Sequence, residues 1–193
     1  MISSILSSEK EIQEMRDLIN RLGTQSGVVD FEEQIQLMGV KLTTRLWHDN
    51  GALVGFCYVD EYCNLWFNAD PDYEGFAELE DQIIAWGEVC QRNRNTNSGK
   101  DYTLDSTSRA EDFHRIHVLE QHGFQQETAR TLHYSRLLSV AIKKFPFPEG
   151  FSFRAVKGLE EVEVLVKLHR AAFGTENMTV ELRTAMMNSP LYV

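Results

Sequence analysis

The residues best suited to chemistry lie where an aromatic-rich stretch meets a proline and a glycine. Residues 63–68 are typical of a strand, Pro71 follows them, and an amphipathic helix is predicted from Gly75. Proline cannot extend a central strand, so this spacing predicts a strand, a tight loop and a helix. Backbone N–H groups at a helix start attract phosphate, and a glycine lets the phosphate approach closely. The motif therefore indicates an anion-binding loop.

Histidine and cysteine side chains offer a second, weaker set of candidates. His114, His117 and His122 lie close together, and His114 and His117 share one face of a predicted helix. A metal site is one interpretation, but no nearby cysteine completes a set of four ligands, which favours solvated histidines. Cys90 falls on the apolar face of a helix and is predicted to be a core residue, not a nucleophile.

The composition is that of a soluble globular protein. The chain has 193 residues, of which 42% are hydrophobic and 25% are charged. Its net charge of -10 argues against binding to nucleic acid or to an anionic membrane. No apolar run approaches the roughly 20 residues that span a bilayer, and no signal peptide is recognised. The three cysteines form no CxxC pair, so we expect a reducing, cytoplasmic location.

The first half of the chain predicts two helices and three strands. Residues 8–22 place apolar side chains at helical spacing, with Gly23 as the stop. A second helix is predicted from Asp30, its N-cap, to Gly39. Strands are predicted at residues 43–48, 52–59 and 63–68, the first two joined by the turn Asp49-Asn50-Gly51.

The second half is predicted to place helices on both faces of a mixed sheet. The helix from Gly75 is followed by a polar loop at residues 92–100. Residues 110–122 predict another helix, with Gly123 as its C-cap. Further strands are predicted at residues 102–105 and 124–138. The order α-α-β-β-β-α-β-α-β predicts an α/β (α+β) fold.

The two ends of the chain resemble each other. Residues 22–25 read LGTQ and residues 173–176 read FGTE, and each group separates two helical stretches. Similarity at a fixed offset suggests duplication, although helix-loop-helix segments also look alike by chance. Pro146, Pro148 and Gly150 mark a boundary. We therefore predict a domain at residues 1–140, a linker at 141–150, and the start of a second, incomplete domain at 151–193.

An incomplete second copy has two expected consequences. It begins with a strand at residues 151–156 and a helix at residues 159–172, but it lacks the counterpart of the first sheet. A half-domain cannot bury its apolar faces alone. We therefore expect either a native chain that continues past Val193 or packing of the last segment on the first domain or on another chain.

The segment at residues 65–79 resembles the acetyl-CoA motif of the GNAT family of N-acetyltransferases. Pro71, Asp72, Tyr73 and Gly75 match a pattern of the form P-x-Y-R-G-x-G-x-G that stands between a strand and a long helix. The resemblance implies that acetyl-CoA binds here as a substrate. The contacting residues that it implies are Phe67, Asn68, Tyr73, Glu74, Gly75, Phe76, Ala77 and Glu78.

Two further segments carry the same resemblance. Residues 113–124 are similar to the family's helix that ends in L-Y-x-K-x-G-F, with Gly123 and Phe124 matching. Residues 148–154 resemble the entry into a second domain in tandem members of the family. The resemblance implies a GNAT-like mixed, mostly antiparallel central sheet with helices on both faces, in a protein of the tandem-domain type.

Several residues depart from the family pattern. Glu74 stands at the arginine position of the loop, and Ala77 and Leu79 stand at glycine positions. Glu78 adds a carboxylate that suits the helix dipole but repels a pyrophosphate. Leu119 replaces the tyrosine that often serves as general acid, and it cannot transfer a proton. The N-terminal copy is therefore expected to carry a degenerate acetyl-CoA loop.

Two functions follow from these patterns. The first is a GNAT-type N-acetyltransferase, in which a small-molecule amine directly attacks acetyl-CoA, with this N-terminal copy either active or inactive. The carboxylates Asp60, Glu61, Asp70 and Asp72 are candidate bases or solvated loop ends, and catalytic residues stay unassigned. The alternative is a non-catalytic module that shapes the substrate cleft or forms a homodimer.

Overall fold

A four-stranded antiparallel sheet forms the centre of the molecule. The computed structural model describes residues 1–23, 28–130, 134, 136–137, 139–141, 146, 148–176 and 178–189. The strands are β1 (Ile2–Ile5), β2 (Arg45–Asp49), β3 (Ala52–Val59) and β4 (Leu65–Ala69). They lie side by side in this order, and every neighbouring pair is antiparallel. The predicted hairpin between β2 and β3 is confirmed, with positive φ at Asn50 and Gly51 as a type I′ turn requires.

Three helices cover the first face of the sheet. They are α1 (Glu9–Leu22), α2 (Val28–Gln34) and α3 (Met38–Thr43). Ser8 caps α1 because its hydroxyl accepts the N–H of Glu11, at 3.3 Å, while the Glu11 carboxylate accepts the N–H of Ser8, at 2.9 Å. Apolar side chains of α1, among them Ile12, Met15 and Leu18, are buried in one core with those of β3.

Two helices cover the opposite face. They are α4 (Phe76–Ser98) and α5 (Phe113–Gln121). Leu79, Ile83 and Ile84 of α4 are fully buried in a second core that also contains Cys57 and Val59 of β3. The predicted fold class, a mostly antiparallel sheet with helices on both faces, is therefore confirmed.

Some predicted boundaries were wrong in the first half of the chain. Asp30 lies inside α2 and not at an N-cap, and α2 ends before Gly39, which belongs to α3. Strand β2 therefore starts at Arg45 instead of residue 43. The predictions also missed β1, a four-residue strand whose existence depends on pairing with β2.

The predicted loop at residues 92–100 is also wrong, because α4 continues to Ser98. The helix is stabilised there by neighbouring polar side chains, since Arg92 pairs with Glu88 at 3.0 Å. The Thr96 hydroxyl donates to the carbonyl of Arg92, at 2.9 Å. A helix that projects beyond the sheet needs no apolar face, so hydrophobic periodicity did not indicate its true end.

The strands predicted after α4 do not form among the described residues. Within residues 102–105, only Asp105 makes a bridge, parallel to Asn64. In the predicted strand at residues 124–138, positions 131–133, 135 and 138 lie outside the described residues, and the others belong to no strand. Tyr134 is 84% exposed. No described strand lies beside this segment, so its alternating pattern of residues forms no strand there.

The C-terminal helices pack on the first face of the domain. A 3-10 turn (Leu159–Glu161) leads into α6 (Val162–Phe173), which is followed by α7 (Val180–Asn188). Residues 151–156, predicted to be a strand, belong to none. Leu182 and Ala185 of α7 lie in the same core as Phe31 of α2. Within the described ranges, no helix is both long and apolar enough to cross a membrane.

The close approach of β3 and α4 depends on Gly55. A Cβ at this buried position would lie 2.9 and 3.2 Å from the methyl carbons of Leu79 and 3.3 Å from the carbonyl oxygen of Asn68. We expect Gly55→Ala to lower the free energy of unfolding by roughly 1–3 kcal/mol because the core is overpacked. Urea denaturation measures this change.

A matched second variant tests the physical reason. Leu79→Ala removes the side chain that the new methyl group would meet and is itself expected to destabilise the core. The double variant Gly55→Ala/Leu79→Ala should therefore be more stable than the sum of the two single effects. Simple additivity would contradict the proposed contact.

Candidate functional site

The loop between β4 and α4 is anchored by the buried carboxylate of Asp70. Its Oδ1 accepts the N–H of Asp72, at 3.1 Å, and its own N–H donates to the carbonyl of Val54, at 2.8 Å. The guanidinium of Arg21, on α1, forms an ion pair with Asp70 and also donates to the carbonyl of Leu53, at 3.2 Å. The loop is therefore fixed to β3 and to α1 at the same point.

The side chain of Tyr73 folds back over the end of the loop. The carbonyl of Tyr73 accepts the N–H of Phe76, at 3.0 Å. Its ring lies so close to Gly75 that a Cβ there would be 2.8 Å from ring atom Cε1. Gly75 has a φ of -93°, which any residue adopts, so the glycine is required for space and not for backbone conformation.

The backbone N–H groups in the first turn of α4 are not capped by a side chain. Within the described residues, the N–H groups of Ala77 and Glu78 have no acceptor. Such unpaired N–H groups carry the positive end of the helix dipole and suit an anion. The carboxylates of Glu74 and Glu78 are exposed beside them and oppose that preference.

The outer edge of β4 pairs at its beginning with the chain that follows α4. The N–H of Leu65 donates to the carbonyl of Asp105, at 2.7 Å, and the Ser106 hydroxyl donates to the carbonyl of Leu65, at 3.0 Å. The bridge between Asn64 and Asp105 is parallel, and the chain then leaves the strand. Beyond this point, α5 contacts β4 at Phe67.

The side chain of Arg115, on α5, covers the outer edge of β4 at Phe67. Its guanidinium carbon lies 3.7 Å from the ring centroid of Phe67, and its Nη1 donates to the Phe67 carbonyl, at 3.3 Å. Its Nε is buried and has no acceptor. Burial lowers the pKa of Arg115 to about 10, so the group stays charged at neutral pH. No carboxylate of the described residues forms an ion pair with it.

The histidines serve as links between helices. His114 contacts the buried carboxylate of Glu80, at 2.7 Å, and stacks on Phe76 at a centroid distance of 5.2 Å. His122 contacts Asp81, at 2.9 Å, whereas His117 is exposed. Among the residues that the structure describes, no group of His, Cys, Asp and Glu side chains could hold a metal ion.

Two of the four candidate carboxylates have structural roles, whereas Glu61 and Asp72 are exposed. Both Asp60 and Asp70 are buried, and Asp60 accepts the N–H of Tyr62 and the indole N–H of Trp66, at 2.8 and 2.7 Å. Such fully engaged carboxylates make poor general bases. Leu119 is buried in the core beneath α5. No proton donor stands at that position.

The structure separates the predicted site residues into two groups. Phe67 and Asn68 belong to β4, whereas Tyr73 and Gly75 close the loop that leads into α4. Phe76, Ala77 and Glu78 form the first turn of α4, beside Glu74. Sequence reasoning missed Arg21 and Arg115. Neither has a sequence signal, because a charged residue on an amphipathic helix is normally solvated.

A groove of 350 Å³ lies on the first face of the sheet. Its walls come from α1 and from the start of β3, and they include Glu14, Asp17 and Arg21. The side-chain hydrogen bond from His48 lowers the pKa of Glu14. The groove thus offers a carboxylate to a cationic group, next to the ion pair that holds the loop.

The core thiol Cys90 gives a test of its predicted structural role. Burial raises its pKa to about 11 from an ordinary value of 9.0. We therefore expect alkylation by iodoacetamide at pH 8 to be about a hundredfold slower than for an unperturbed thiol. The rate should rise about tenfold per pH unit until the pH nears the pKa. Fast labelling at neutral pH, followed by mass spectrometry, would show an activated cysteine instead.

Comparisons with known proteins give a weak structural likeness. No family model and no curated protein matches the sequence. Two solved structures of aminoglycoside N-acetyltransferase AAC(6')-Iy are similar. The complex with CoA is 21% identical in sequence, with a TM-score of 0.44. Its alignment spans 67% of this chain and 96% of the acetyltransferase chain. The complex with the bisubstrate analogue CoA-S-monomethyl-acetylneamine is 19% identical, with a TM-score of 0.47. Its alignment spans 70% of this chain and 99% of the acetyltransferase chain. A structural similarity as weak as this does not establish an activity for this chain.

Proposed function

We propose that residues 1–140 form a GNAT-type domain that binds acetyl-CoA and transfers its acetyl group to an amine. The observation that carries the proposal is the uncapped start of α4 directly after β4. The free N–H groups of Ala77 and Glu78 would hold the pyrophosphate. The outer edge of β4 at Phe67 would pair with an amide of the pantetheine arm, beside Asn68.

The proposed reaction is a direct transfer. The amine first loses a proton to solvent, and its neutral nitrogen then forms a bond to the thioester carbonyl carbon. The carbon–sulfur bond breaks, and the departing CoA thiolate takes up the second proton that the nitrogen loses. Backbone N–H groups polarise the carbonyl. A small cationic amine suits the groove that contains Glu14 and Asp17, since carboxylates attract it.

A cytoplasmic location and the formation of a homodimer stay predictions.

A non-catalytic module is the second candidate. It is favoured by Leu119, which is buried and cannot act as an acid, and by the acids Glu74 and Glu78 at the start of α4. In this case the domain would shape a substrate cleft or support a dimer.

We also propose that residues 151–193 begin a second copy of the domain, after a linker at 141–150. Support comes from the matching ends of the helices, since Gly23 and Gly174 both follow a helix with positive φ, 65° and 62°.

Calorimetric titration of CoA and acetyl-CoA into the chain tests the proposed binding. We expect saturable binding, and we expect Glu74→Gln/Glu78→Gln to tighten it roughly threefold to tenfold because like charges near the phosphates are removed. The gain should shrink at high salt. Glu88→Gln, an exposed change farther along α4, is the matched control and should have no effect.

The outcomes separate the two candidate functions. Saturable binding with release of free CoA thiol in the presence of an amine would support the transferase. Binding without turnover would favour the substrate-shaping module. No heat change at millimolar ligand, in either the wild type or the double variant, would contradict the proposed acetyl-CoA site.

A further inference from the structure

The position of Arg115 is energetically unusual. Its guanidinium is charged, and its Nε is buried without an acceptor among the described residues. Burial of a cation is costly because it has lost solvation. The carboxylates of Asp112 and Glu80 offset part of this cost through space. The face of the Phe67 ring and the Phe67 carbonyl contact the guanidinium directly.

This compensation uses a group that a ligand would need. The Phe67 carbonyl points away from β3 on the outer edge of β4, beyond the bridge at Asp105. An extended ligand with amide groups would pair with this edge as an added strand does. As long as Arg115 donates to the carbonyl, an incoming amide N–H has no acceptor there.

We propose that Arg115 is a specificity-determining residue that closes the outer edge of β4 to the pantetheine arm of an acyl-CoA. The inference rests on the proposed function and deepens it. The start of α4 stays open to phosphates, whereas the strand edge opens only when the guanidinium leaves Phe67. The chain therefore discriminates between the two halves of the ligand.

The side chain can leave without unfolding its helix. Arg115 lies in the first turn of α5, and its backbone N–H is held independently by the carboxylate of Asp112, at 3.1 Å. The residue as a whole is partly exposed, so the guanidinium has a short path to solvent. Substitution by alanine should therefore preserve α5.

Calorimetry with two ligands tests the inference. CoA carries the pantetheine arm, and adenosine 3′,5′-bisphosphate lacks it. We expect Arg115→Ala to bind CoA at least tenfold more tightly than the wild type, because a charge-assisted hydrogen bond no longer has to be broken. Affinity for the bisphosphate should not rise. Arg92→Ala, an exposed change on α4, is the matched control and should behave like the wild type.

An NMR measurement tests the geometry without relying on CoA binding. In the ligand-free wild type, the Arg115 Nε–H resonance, assigned by its absence from Arg115→Ala, should exchange slowly with water because the atom is buried. Adding CoA should speed this exchange. A resonance that already exchanges fast without ligand would overturn the inference.

The binding results distinguish the two proposals. If the wild type binds CoA and Arg115→Ala binds it no more tightly, the inference is overturned and the proposed function stands. If both ligands gain affinity equally, the arm is not what Arg115 controls, and the inference is again overturned. If neither protein binds CoA, the proposed function itself is overturned, together with the role of Arg115.

Discussion

Burial of β3 on both faces is the constraint on which the rest of the structure depends. Every residue of β3 from Leu53 to Val59 is buried, and removal of such side chains from water stabilises the fold by about 1.5–3 kcal/mol each. One face requires the apolar side chains of α1, and the other requires those of α4. Gly55 admits Leu79, so the start of α4 is drawn against the sheet beside the end of β4.

The candidate site follows from this packing. Because α4 begins where it must cover β3, its unpaired N–H groups face the loop that Asp70 and Arg21 hold in place. The same face carries α5, whose Arg115 contacts β4 at Phe67. The start of α4 therefore combines the positive end of a helix dipole with the carboxylates of Glu74 and Glu78.

The C-terminal helices α6 and α7 bury part of their apolar surface against the first face of the sheet. Val162 and Val166 of α6 and Leu182 of α7 join the core beneath α1 and α2. Other apolar side chains of this segment, including Leu168 and Phe173, are exposed. The segment thus buries one face, and α7 packs on α2.

The sequence by itself determined the local elements whose signals are short in range. The helix stop at Gly23, the turn at Asn50-Gly51 and the loop from Pro71 to Gly75 were predictable because each depends on the backbone preferences of a few adjacent residues. The mostly antiparallel sheet and its two covered faces could be predicted from the order of these elements and from the GNAT resemblance.

Only the tertiary structure decided what depends on distant neighbours. Strand β1 exists through its pairing with β2, and residues 124–130 form no strand because none lies beside them. The edge of β4, implied as a binding surface at Phe67, meets Arg115 from a helix 48 residues away in sequence. A single charged residue on a helix has no signal that tells burial from exposure, since its environment is set by packing that the local sequence does not encode.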